Sequence, residues 1–67
     1  MVEYTNSQIR EAIAEHIHNQ DDRQMLCLRL IDGMTFERIA YEMGMTTKTV
    51  RKRIHQKEQI LFKHLPG

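Results

Sequence analysis

Apolar side chains recur along this chain at intervals of three and four, and β-branched alternation is missing. Ile9, Ala12, Ile13, His16 and Ile17 form a stripe at the spacing that keeps side chains on one face of an α-helix. Ahead of it, Thr5 and Gln8 have capping-box spacing, and Tyr4 with Ile9 that of a hydrophobic staple. A first helix is therefore predicted over about residues 6–18. Asn19-Gln20 breaks the pattern. Asp21 with Gln24 is a second capping box, opening a helix over about 22–32 through Met25, Leu26, Leu28, Leu30 and Ile31. That helix is apolar on more than one side, so it is expected to be the central, most buried one. Gly33 stops it in a left-handed conformation that glycine adopts cheaply.

Two further helices follow. Thr35 caps the third, over about 36–43, with Met34 and Ile39 as its staple and Phe36, Ile39, Ala40 and Met43 on its inner face. Gly44-Met45 ends it. Thr46 caps a fourth helix over about 47–64, stapled by Met45 and Val50. The predicted fold class is all-α, a small four-helix domain occupying residues 1–67. Repeats, low-complexity stretches and linkers are lacking, and the one proline, Pro66, lies at the C-terminal end.

Residues 36–54 have the plan of a helix-turn-helix. Its first helix needs a small residue where the second crosses, supplied by Ala40, and its tight turn needs a residue tolerant of positive φ, Gly44. Met45, Val50 and Ile54 then tie the second helix to the core. At ~100° per residue, Val50, Ile54 and Leu61 share the inward side of the last helix. Lys48, Lys52, His55, Gln56 and Gln59 take the opposite side, with Thr49 and Arg51 on its flanks. Arg53 falls toward the buried edge.

Charge sharpens this picture. The chain sums to only +1, yet residues 1–43 carry four basic and eight acidic side chains, whereas 44–67 carry Lys48, Arg51, Lys52, Arg53, Lys57 and Lys63 against Glu58 alone. One end is suited to a polyanion while the other is kept soluble. Threonine hydroxyls and helix-terminal N–H groups serve phosphates, and long donors reach base edges in a major groove. A solvated basic face is the plainer alternative for the same residues.

The stretch "DRQMLCLRLIDGMTFERIAYEMGMTTKTVRKRIHQKEQIL", with its "DG-T-E-IA-G-T-TV" skeleton, resembles region 4 of bacterial sigma factors. It equally resembles the C-terminal DNA-binding domain of LuxR-type regulators, and small phage-borne proteins built on the module are similar. "KTVRKRI" is nearer the LuxR type and "LRLIDGMTFERIA" nearer the sigma type. The resemblance implies a four-helix domain whose last helix reads promoter-like DNA, with Thr46, Thr47, Lys48, Thr49, Arg51 and Lys52 facing it. His55 and Gln56 extend that face, although His55 is as readily a solvated side chain. Because the sequence shows no receiver domain, ligand-binding domain or second sigma region, a stand-alone regulator is expected rather than a complete sigma factor.

Other chemistries find little support. The single cysteine, Cys27, forms no internal disulfide and reads as a small buried hydrophobe. Cys and His spacing matches no zinc site. His16 and His18 fall on different sides of a helix, and His55 lies far from His64. Met25, Met43 and Met45 read as core filler, and Asp21 and Asp22 as a cap and its neighbour. A bundle this small offers neither a nucleophile–base pair nor paired acids in a pocket, so no enzyme and no cofactor are expected. No apolar run approaches the ~20 residues that span a bilayer, and the first residues lack signal-peptide character. With a free thiol and no export signal, the cytoplasm is the expected compartment.

The leading expectation is sequence-specific binding of double-stranded DNA by residues about 47–56 in the major groove, in transcriptional control. About four to five phosphate contacts correspond to a log–log salt slope near −4. One module buries only ~600–1,000 Å², so a homodimer through the C-terminal helix, or another DNA-bound partner, is expected. Ile60, Phe62 and Leu65 are its interface candidates; alternatively Phe62 and Leu65 fold back on the first helix. The competing function is a protein-interaction module docking on RNA polymerase or another regulator, with DNA contact secondary.

Overall fold

Threonine and asparagine side chains open all four helices and so fix where each begins. The computed structural model describes residues 4–65. They form α1 (Asn6–His16), α2 (Gln20–Leu30), α3 (Phe36–Met43) and α4 (Thr47–His64), with no strand among the described residues. At α1 both halves of the capping box are made: Thr5 Oγ1 accepts from the Gln8 N–H at 3.1 Å, and Gln8 Oε1 accepts from the Thr5 N–H at 2.9 Å. Thr35 accepts from the Arg38 N–H at 3.1 Å and Thr46 from the Thr49 N–H at 3.2 Å. Each such cap contributes about 1 kcal/mol.

The second cap differs from expectation. Asn19, not Asp21, opens α2, its Oδ1 accepting from the Asp22 N–H at 3.1 Å. Asp21 and Asp22 consequently occupy the first turn, where the positive end of the helix dipole favours carboxylates. The first helix is also shorter than its apolar stripe. It stops at His16 because Ile17 is extended, at φ −110° and ψ 116°. Arg23 of α2 reaches back over that end, donating from Nη2 to the Ala14 carbonyl at 2.7 Å and from Nε to the Ile17 carbonyl. It thus satisfies acceptors that a helix terminus leaves unpaired.

Helix α2 ends at Leu30, two residues before the predicted end. Gly33, at φ +71°, turns the chain so that the Met34 N–H reaches the Leu28 carbonyl at 3.0 Å.

The core is assembled from all four helices. Ala12, Ile13 and Ile17 come from α1 and its cap, Met25 and Leu26 from α2, Ile39 and Ala40 from α3, and Val50, Ile54 and Leu61 from α4. Burying a side chain the size of leucine or isoleucine contributes roughly 1.5–3 kcal/mol. The backbones of α1 and α3 do not approach each other closely; each packs on both α2 and α4, which also pack on one another. α2 therefore shares the centre with α4. Only Met25 and Leu26 of its apolar side chains are fully buried, while Cys27, Leu28, Leu30 and Ile31 are half-buried. Its all-round apolar pattern reflects contact with three neighbours, not enclosure on every side.

Candidate nucleic-acid interface

The turn between α3 and α4 follows from one residue. Gly44 sits at φ +66° and ψ 35°, the left-handed region. That conformation lets the Met45 N–H return to the Ala40 carbonyl at 2.9 Å, a bond of the Schellman type. Ala40, buried at the crossing, and Ile39 form the floor on which α4 lies. Val50, Ile54 and Leu61 are each at most 1% exposed, and their burial fixes the rotation of α4 about its own axis.

Given that rotation, the remaining side chains have nowhere to go but outward. Lys48, Arg51, Lys52, His55, Gln56 and Gln59 are all exposed and line one shallow groove along α4. Six donors are thereby brought to one side, three of them on lysine or arginine.

The three threonines ahead of them differ in what they have left to offer. Thr46 uses its oxygen to cap Thr49 and donates its hydroxyl to Thr49 Oγ1 at 2.8 Å. Thr49 is exposed, and its hydroxyl is oriented by this contact with Thr46. Thr47 is half-buried.

Arg51 does not stand free. Its guanidinium carbon lies 5.5 Å from the centre of the Phe36 ring, whose centre is also 4.3 Å from the guanidinium carbon of Arg29. Arg29 is held in turn by donation to the Met34 carbonyl at 2.8 Å. Phe36, expected only as an inward-facing core residue, is half-buried and links two arginines.

On the flank facing α2, Arg53 and Lys57 meet Asp22. Arg53 Nη2 lies 2.9 Å from Asp22 Oδ1, and Lys57 Nζ lies 3.7 Å from Oδ2. The first contact is an ion pair without an aligned hydrogen bond: Nη2 donates to Asn19 Oδ1 at 3.4 Å, and Asp22 Oδ1 has no hydrogen-bond donor. Arg53 Nη1 also approaches the Met45 sulfur at 3.8 Å. Asp22, expected as the mere neighbour of a cap, is 4% exposed. Nothing near it in the chain signals this, because both partners lie on a distant helix.

The interface candidates at the end of α4 separate. Leu65 is half-buried and packs against the core, while Ile60 and Phe62 are 38% and 48% exposed.

Two histidines that the sequence keeps far apart meet at the same end. The rings of His16 and His64 stack with centroids 3.7 Å apart and planes inclined by 10°. Parallel rings direct their nitrogen lone pairs alongside one another and not toward a common ion. Among the described residues no group of three or more His, Cys, Asp or Glu side chains is placed to hold a metal. No helix among them is long and apolar enough to cross a membrane.

No curated protein and no solved structure matches the chain significantly. The family model described as "Sigma-70, region 4" matches residues 19–56, from the cap of α2 through the exposed face of α4. With more than half of its length in that match and an all-α helix-turn-helix beneath it, the chain belongs to the sigma-70 region 4 family, a DNA-binding domain type.

Proposed function

We propose that the protein binds double-stranded DNA sequence-specifically, with residues about 47–56 of α4 in the major groove, and acts in transcriptional regulation. One observation carries this reading: α4 is fully buried at Val50 and Ile54 while Lys48, Arg51, Lys52, His55 and Gln56 are exposed together on the other side. Lysines and arginine there neutralise phosphates, and arginine, lysine and glutamine offer donors to base edges. The Thr49 hydroxyl and the positive end of the α4 dipole add phosphate contacts at the helix start.

The deciding experiment is the double substitution Lys48→Ala and Lys52→Ala. Both side chains are exposed. DNA binding should be abolished while helicity and melting temperature stay unchanged. Persistence of wild-type affinity in a folded double variant overturns the reading. Selection of binding sites from random duplexes, repeated at two salt concentrations, then reports the preferred sequence and the electrostatic share together.

A second reading rests on Phe62 and Ile60, an exposed aromatic and an exposed aliphatic near the end of α4. A protein partner such as RNA polymerase would cover them, either alongside DNA binding or as the main function. Loss of polymerase capture in Phe62→Ser with unaltered DNA affinity supports this second contact, and unchanged capture removes it.

A further inference from the structure

Asp22 is the buried charged side chain of the described residues, and DNA contact by α4 makes no direct use of it. Between positions 48 and 57, α4 carries five cations: Lys48, Arg51, Lys52, Arg53 and Lys57. Three are exposed on the groove side. The other two, one helical turn apart, both end on the Asp22 carboxylate, Arg53 at Oδ1 and Lys57 at Oδ2. Their side chains are only 30% and 34% exposed.

The carboxylate that holds them is itself well placed. It projects from the first turn of α2, where the helix dipole favours negative charge. The neighbouring Asn19 oxygen both caps that helix and accepts from Arg53. Moving either cation to a phosphate would weaken the compensation of a carboxylate that is almost wholly out of water, which is strongly unfavourable. Their charge is therefore spent inside the protein.

We propose that Asp22 is a positioning and charge-withholding residue of the DNA interface. It keeps Arg53 and Lys57 off the duplex, so that α4 meets phosphates with Lys48, Arg51 and Lys52 alone. It also anchors the second and third turns of α4 to α2 with the groove side outward. Non-specific DNA binding is almost entirely a matter of neutralised phosphates, so withholding two cations lowers it more than it lowers base-directed binding. Asp22 thereby raises the specificity ratio without touching DNA.

This inference rests on the DNA reading above, and its test separates the two. Affinity for a labelled mixed-sequence duplex of roughly two helical turns is measured against salt concentration for wild type, Lys48→Gln, Lys57→Gln and Asp22→Asn, with helicity recorded for each. Three α4 cations correspond to a log–log slope of about −2.7, shallower than the five-cation count. Lys48→Gln should lower its magnitude by about 0.9 and Lys57→Gln should leave it unchanged. Asp22→Asn should steepen it by about one to two units as the released cations find phosphates.

A Lys57→Gln slope reduced by about 0.9, or an unchanged slope in folded Asp22→Asn, overturns the withholding role while leaving the DNA reading intact. If Asp22→Asn does not fold, the Lys57→Gln slope decides alone. Absence of wild-type binding, or no effect of Lys48→Gln, removes the DNA reading and this inference with it.

Discussion

The guanidinium of Arg51 lies over the ring of Phe36, 5.5 Å from its centre, while Arg29 approaches the same ring at 4.3 Å. An α3 aromatic thus holds in place a cation on the outward side of α4. Such contacts contribute about 0.5–1 kcal/mol each at exposed positions. Phe36→Leu keeps an apolar side chain there but removes the π face. Melting temperature should fall by several degrees, and affinity for the selected duplex by roughly threefold, the equivalent of one such contact. An affinity equal to wild type would show that Arg51 needs no such support.

Gly44 offers a test of the turn itself. A Cβ at this position would meet no atom within 4 Å, so space is not the constraint; its φ of +66° is. Gly44→Ala should cost about 1–2 kcal/mol from backbone conformation alone. For a domain of this size that is a drop of roughly 4–16 °C in melting temperature. Thermal melting reads the result directly, and a neutral substitution would mean that the turn relaxes to another conformation.

Thr46 joins stability and function at the start of α4. Its hydroxyl accepts from the Thr49 N–H and donates to Thr49 Oγ1. Thr46→Ala loses both, and should destabilise by about 1 kcal/mol. It should also weaken DNA binding, because Thr49 loses the contact that orients its hydroxyl. Thr46→Ser, which retains the oxygen, should restore both properties in melting and titration experiments.

Arg23 should behave in the opposite way. Its two bonds go to the Ala14 and Ile17 carbonyls at the end of α1, and Arg23 is not among the residues lining the groove on α4. Arg23→Ala leaves those acceptors without their side-chain partner and should cost about 1–3 kcal/mol. DNA affinity measured well below the melting temperature should be unchanged. A selective loss of binding would place Arg23 in the interface.

Much of the fold was legible because its signals are local. Thr5, Thr35 and Thr46 each stand just before a helical apolar pattern, and each is observed as the cap. The capping-box spacing of Asp21 and Gln24 points to the wrong residue, Asn19 being the cap observed. The choice falls on Asn19 because Asp22 is then turned inward, where Arg53 and Lys57 lie against it. Short-range patterns contain no information about those two partners. The end of α1 is equally hidden from local pattern: the apolar stripe continues through Ile17, which is buried but no longer helical.

Periodicity and capping depend on neighbours within a turn or two, so the number and order of the helices, the glycine turn and the outward side of α4 follow from the chain alone. So does the collection of positive charge after Gly44. Tertiary structure decided what those charges are free to do. Helical spacing already turns Arg53 toward the buried edge, but it names no partner for Arg53 or Lys57. Packing α2 against α4 sets Arg53 and Lys57 on a buried carboxylate, and packing α3 against both sets Arg51 on an aromatic ring. Electrostatic partnership depends on distance in space, and only the folded chain fixes those distances.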